Sequence, residues 1–362
     1  VTREVLRARA VLTDGHGGVF LDDIEVDPPG AGEVLVELKA AGVCHTDHKY
    51  MFRGIKRVLG HEGAGVVAQI GPGVTGLRPG DRVLLNWATN CGECFQCVRG
   101  HHSLCEDRRH PPLERTRHGG SGVERAFYLG AMASHTVVAQ QAVTRLDVDI
   151  PFAAAAIVGC AVMTGYGSVV NAARVRAGSS VAVIGAGGVG LNIIQTARLV
   201  GAARVIAVDV NAGKLDLARR FGATEVLLAD PADAGLLNAA AAVRAMTEGR
   251  GADYAFEATS VPALGAAPLA MVRNAGVAVQ ASGIEETVGI DMRLFEWDKV
   301  YVNPRYGMCR PSLDFPEILR LYAQGRLLLD ELVTRTYLLE EAPQAIEDML
   351  AGVNAKGVLV MA

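Results

Sequence analysis

Ser180-Val181-Ala182-Val183-Ile184-Gly185-Ala186-Gly187-Gly188-Val189-Gly190 is the stretch on which the fold turns. Its first five residues are a short apolar run suited to a buried parallel strand. The run passes into a G-x-G-x-x-G turn, and a helical pattern over 189–200 follows. Strand before and helix after are the context in which such glycines bind a dinucleotide. Gly185, Gly187, Gly188, Val189 and Gly190 let the backbone approach a pyrophosphate, and the helix N-terminus offers free N–H groups and positive potential. The next apolar run, 204–208, closes on Asp209, 19 residues after Gly190. A carboxylate there accepts hydrogen bonds from both ribose hydroxyls and repels a 2′-phosphate, which favours NAD over NADP.

Working outward, strand-like runs recur at 225–229, 254–257 and 277–281 with helical segments between them, the rhythm of a doubly wound parallel sheet. Upstream of Pro151, β-branched runs (33–38, 65–70, 81–85) alternate with turns such as Gly71-Pro72-Gly73 and Arg78-Pro79-Gly80-Asp81, which reads as a β-rich domain. From about residue 294 the tail holds helix candidates at 316–324 and 341–351 and a final apolar run at 357–360, and it is expected back on the first domain. The fold class is therefore α/β: a β-rich domain over 1–158, completed by 294–362, with a Rossmann domain over 159–293.

A chain of 362 residues fits two cores better than one. A net charge of −4 favours neither nucleic acid nor an anionic membrane as partner. The opening VTREVLRARA lacks the apolar core of a signal peptide, and no apolar run is read as approaching the roughly 18–20 residues of a span. A soluble, cytoplasmic protein is expected.

Four of the seven cysteines fall in Cys91-x2-Cys94-x2-Cys97-x7-Cys105. Such spacing lets one loop surround a zinc ion with four thiolates, leaving no open position, so the site suits folding rather than chemistry. Spacing and the absence of a proline after the last cysteine argue against an iron–sulfur cluster.

Cys44, His61 and Cys160 lie far apart in Gly-rich or polar surroundings. Singly, each reads as a buried thiol or a hydrogen-bonded imidazole, and nothing local brings them together. Were they to converge, two thiolates and a neutral imidazole would hold zinc and leave a fourth position open. Glu62 is then a neighbouring or transient ligand, or else a solvated strand-end charge. Asp47 is the expected partner for the far nitrogen of His61.

Gly42-Val43-Cys44-His45-Thr46-Asp47, Gly60-His61-Glu62-Gly63-Ala64-Gly65, the four-cysteine loop, Gly159-Cys160-Ala161-Val162-Met163-Thr164-Gly165-Tyr166-Gly167 and the glycine turn with Asp209 together resemble the zinc-containing medium-chain alcohol dehydrogenases over nearly the whole chain. The resemblance implies a GroES-like catalytic domain, two zinc ions per chain, NAD, a small alcohol or carbonyl substrate, and a homodimer or homotetramer. It implies a catalytic zinc on Cys44, His61 and Cys160, and a structural zinc on Cys91, Cys94, Cys97 and Cys105. Thr46 takes the position that begins the proton relay. His45 and Lys356 take pyrophosphate-contacting positions, Thr164 one beside nicotinamide, and Lys214 a ribose contact.

The sequence departs from the family in three places. Lys49 stands where a relay histidine is common, with His48 adjacent. Only 16 residues separate Cys44 from His61, about four fewer than usual, which alters the pocket rim. The shortened segment after Cys105 carries Arg108, Arg109, His110, Glu114, Arg115, Thr116, Arg117 and His118, read as a solvated loop in preference to a contact for an anionic or sugar-like substrate. Cys309 is read as a structural thiol. The implied reaction is reversible oxidation of a primary or secondary alcohol. A thiol-dependent formaldehyde dehydrogenase is the narrower alternative, and a non-catalytic nucleotide- or metal-binding protein the distant one.

Overall fold

The computed structural model describes residues 5–107 and 115–361. It divides into two compact units: residues 1–160 with 310–325 and 329–362, and residues 161–309 with 326–328.

In the first unit, strand Glu33–Gly42 is the organising element. It pairs antiparallel with Gly63–Ile70, His135–Ala139 and the late strand Gly357–Val360. Alternation drives this: Val34, Val36 and Leu38 are fully buried and meet Val67, Val83, Leu85 and Val138. The tail thus completes the sheet through Val358↔Gly42 and Leu359↔Ala41. A second sheet of this unit is built on the hairpin of Leu6–Thr13 and Val19–Val26.

The second unit is a wholly parallel sheet. Its strands run in the order Glu225–Leu228, Arg204–Asp209, Ser180–Ile184, Ala252–Glu257, Val272–Gln280, Val300–Val302. That is the 3-2-1-4-5-6 order of a Rossmann fold, whose ligands bind where the order reverses, beyond the C-terminal ends of the strands. Ala182, Ile184, Ile206, Val208 and Ala255 on one face and Val181, Val183, Val205 and Ala207 on the other are 0–2% exposed, so both faces of the sheet are covered.

Three expectations change. Residues 294–309 do not leave with the tail; Val300–Val302 pairs with Val277–Val279 as the sixth parallel strand, and a three-residue strand is too short to read from alternation. The tail helix runs Pro311–Ala323, earlier than 316–324. Pro311 occupies its first turn, where a missing N–H costs nothing, and Pro316 lies inside and forfeits one bond. The helical stretch Phe152–Ala173 is 22 residues long, with a mean hydropathy of 1.7 in its most apolar part, long and apolar enough to cross a membrane. Small and polar residues hid it in the sequence; 89% of that part is buried inside the protein, as in a core helix.

Candidate active site and metal centres

Cys44 lies two residues past strand Glu33–Gly42 and caps the short helix His45–Tyr50. The fully buried Asp47 on that helix ties three points together. It accepts from the Cys44 N–H at 3.0 Å, from the Gly60 N–H at 3.2 Å, and from His61 Nδ1 at 3.0 Å. With Nδ1 committed as donor to a carboxylate, Nε2 is the nitrogen left to act as a ligand. Gly60 is required for this turn: its φ is +94°, and a Cβ would lie 2.3 Å from the Met132 nitrogen. Cys160 comes from the π-helical turn Val158–Val162, a local widening often found at functional positions.

The result is one cluster. Donor atoms of Cys44, His61, Glu62 and Cys160 all lie within 4.8 Å of one another. The hydrogen bond with Cys160 holds the Cys44 thiol well below its ordinary value despite burial, while the same contact and burial push Cys160 well above. Burial lowers the affinity of His61 for a proton, but Asp47 and Cys44 outweigh it and raise the value. A pocket that gathers this much negative potential out of water suits a dication.

Glu62 is fully buried, not a solvated strand end. Its Oε1 accepts from Lys356 Nζ at 2.6 Å, and that ammonium also donates to the Val43 carbonyl at 2.8 Å. Burial pushes Glu62 up to about 7 against the pull of Lys356. Lys356, 5% exposed, thus has the Glu62 carboxylate and the Val43 carbonyl as its partners.

The second cluster is local. The four sulfurs of Cys91, Cys94, Cys97 and Cys105 lie within 4.8 Å of one another. Cys91 and Cys97 are 4.0 Å apart and Cys94 and Cys105 3.9 Å, far beyond a disulfide and close to the ~3.8 Å edge of a tetrahedron with ~2.3 Å metal–sulfur bonds. The Glu106 N–H brings the Cys94 thiol down to about 6, whereas burial pushes Cys97 up to about 12.

In the parallel-sheet unit, Ser180–Ile184 delivers the glycine turn to helix Gly188–Leu199. Gly190 permits the close packing: a Cβ there would sit 1.8 Å from the Gly185 carbonyl oxygen. Asp209 ends the neighbouring strand, and its carboxylate accepts from the Ala186 and Asn211 N–H groups at 2.8 and 2.9 Å, which fixes it against the turn. Lys214 is half-buried on helix Ala212–Arg220, and Thr164 is buried in Met163–Gly167. His45 is exposed, and Thr46 and Lys49 are half-buried on the helix that Cys44 caps.

Arg108, Arg109, His110 and Glu114 lie outside the described residues. Thr116–His118 is a strand rather than a loop, and its basic neighbours are paired: Arg115 with Glu33 at 2.8 Å, Arg117 with Asp27 at 2.7 Å, His118 with Asp22 at 2.8 Å. Sequence reasoning missed the aromatic residues beside the distributed cluster. Phe127 lies 5.1 Å from the His61 ring and 4.9 Å from Trp87. Phe127 sits in an irregular turn at φ +52°, for which the sequence carries no signal.

A glycine-turned Rossmann sheet carried on one chain with a GroES-like β domain is the construction of a medium-chain dehydrogenase. Residues 30–148 match the alcohol dehydrogenase GroES-like domain and residues 188–324 the zinc-binding dehydrogenase domain. The chain is 36% identical to the NDMA-dependent alcohol dehydrogenase of Amycolatopsis methanolica, over 98% of this chain and 99% of that one. It is 33% identical to the class-3 alcohol dehydrogenase of Cereibacter sphaeroides, over 98% and 100%. Among solved structures, the alcohol dehydrogenase zinc-binding domain protein of Burkholderia ambifaria superposes with a TM-score of 0.90 at 29% identity, covering 99% of this chain and 100% of that one. Benzyl alcohol dehydrogenase of Acinetobacter calcoaceticus does so at 0.87 and 28%, with the same coverage. The chain belongs to the zinc-containing medium-chain alcohol dehydrogenase family, and its activity is that of an alcohol dehydrogenase.

Proposed function

We propose that this chain reversibly oxidises a primary or secondary alcohol to the carbonyl with NAD⁺ as hydride acceptor. In this reading Cys44, His61 and Cys160 hold a catalytic zinc, and Cys91, Cys94, Cys97 and Cys105 a structural one. The observation that carries it is the meeting of Cys44, His61 and Cys160 from three distant parts of the chain. When bound, zinc supplies Lewis acidity that lowers the pKa of a hydroxyl from about 16 toward about 7. The chain's own residues do the rest. Asp47 fixes the imidazole of His61 so that Nε2 is the donor. Thr46 accepts the hydrogen bond of the substrate hydroxyl and hands its own proton on. From Thr46 the proton passes to water, or to Lys49, one turn further along the same helix, when that amine is in its neutral form. Glu62, held by Lys356, keeps a carboxylate beside the thiolates without exposing it to water. Asp209 selects the unphosphorylated ribose, and His45, Thr164, Lys214 and Lys356 are the further cofactor contacts we assign.

A metal count combined with NADH formation across an alcohol panel tests this. About two zinc per chain and alcohol-dependent NADH are expected. Zinc-loaded protein that binds NADH yet oxidises no alcohol would sink the reading.

A further inference from the structure

A row of rings leads away from His61. Phe127 is 5.1 Å from the imidazole, Tyr50 is 5.3 Å from Phe127, and the Arg57 guanidinium lies 4.5 Å over the Tyr50 ring, with Arg53 4.6 Å from the same ring. Trp87 flanks Phe127 at 4.9 Å. Phe127 and Tyr128 both have positive φ, +52° and +59°, a backbone conformation that costs a non-glycine residue energy and is often kept where a side chain must be aimed.

The far end of the row is the unusual part. Arg57 is 5% exposed, at the start of the two-residue strand Arg57–Val58. Its Nη2 reaches Glu124 Oε2 at 3.3 Å, and its Nε is buried with no hydrogen-bond partner. A guanidinium out of water with its Nε–H unmet is costly, and a purely structural arginine is ordinarily satisfied by fixed carbonyls or carboxylates. Glu124 holds only one corner of the fork, and its side chain is 57% exposed, free to move off that edge. The segment between Cys44 and His61 adds Lys49, Arg53 and Lys56 to Arg57 and carries one acid, Asp47, which is committed to Cys44, Gly60 and His61.

We propose that Arg57 reads a carboxylate on the substrate, so that this site takes aromatic alcohols bearing an acid on the side of the ring opposite the hydroxymethyl group. The proposal rests on the alcohol-oxidation reading above. The substrate ring lies along Phe127 and Tyr50, where offset or tilted contacts between rings are favourable. Its carboxylate displaces Glu124 and takes Nε and Nη2 together, the paired-donor edge that matches two planar oxygens.

The test is NADH formation from 4-(hydroxymethyl)benzoate, 4-(hydroxymethyl)phenylacetate and 3-[4-(hydroxymethyl)phenyl]propionate, each against its methyl ester. In the wild type at least one acid is expected to exceed its ester about tenfold in kcat/KM, mainly through KM, as fits one charge-assisted contact. Arg57→Met lowers that acid-to-ester ratio tenfold or more, and Arg57→Lys recovers part of it. Glu124→Gln, whose neutral amide oxygen still accepts from Arg57, raises the ratio by removing the competing carboxylate; a merely structural Arg57 would leave it where it was. Equal kcat/KM for acids and esters in the wild type, or no change of ratio in Glu124→Gln, overturns the assignment of Arg57 alone. No turnover of either series while other alcohols are oxidised overturns the assignment of Arg57 alone; no turnover of any alcohol overturns the alcohol-oxidation reading and takes this proposal with it.

Discussion

The two sulfur clusters of the first unit are built in opposite ways. Residues 91–105 supply four sulfurs from one loop, so the cluster is specified almost wholly by spacing. Cys44, His61, Glu62 and Cys160 span more than a hundred residues, and only a folded sheet, a buried aspartate and a left-handed glycine turn bring them together. A cluster written into a loop can be lost without the rest noticing, except in stability. A cluster written into the tertiary structure cannot be separated from the groups that support it.

Experiments that remove one cluster at a time test that contrast. Cys160→Ala takes a donor from the distributed cluster, and kcat/KM for alcohol is expected to fall by about 10³ or more, with one metal lost per chain by elemental analysis and the other retained. If both metals leave together, the two clusters are not independent. Lys356→Met strands a fully buried Glu62, and urea unfolding should register a loss of about 3–5 kcal/mol, largely restored in Lys356→Arg. Cys97→Ser is expected to release the loop metal and to lower the thermal midpoint by about 5–10 °C while alcohol turnover, assayed below the transition, stays within about threefold. A collapse of turnover there would break the contrast. Asp47→Asn retains the shape but weakens the grip on His61, and a 10–100-fold fall in metal affinity is expected by competition with a chelator.

The smallest effect is a control in the parallel-sheet unit. The Asp253 carboxyl is held below its ordinary 3.8: burial would raise it, but the Ser180 N–H and Arg273 outweigh that. A lowered value means its contribution is complete above 3.8 and fades as pH falls through the folded-state value. Asp253→Asn should therefore flatten the stability profile below about pH 4 and leave the slope at pH 7 unchanged.

Which parts could be read from the sequence follows the same division. The glycine turn, its flanking strand and helix, and Asp209 form a contiguous pattern, and the structure places them as read. The four-cysteine loop is legible for the same reason. Cys44, His61 and Cys160 carry no local signal linking them, and the resemblance to a family suggested the grouping. The pairing of Lys356 with Glu62 was not legible because a side chain's partner depends on which strand it lands beside, here Gly357–Val360 next to Glu33–Gly42. The strand at 300–302 was too short to show alternation, and Phe127 owes its position to an irregular turn.

The pairing of Gly357–Val360 with Glu33–Gly42 also sets a timetable. On the ribosome the parallel-sheet unit has all six of its strands within 180–302, so it can form while later residues are still being added. The unit that gathers Cys44, His61 and Cys160 waits for a partner strand more than three hundred residues downstream, and for Lys356 just ahead of it. Nascent chains therefore spend their synthesis with thiols of the distributed cluster unassembled, and those thiols are open to oxidation until the closing strand arrives.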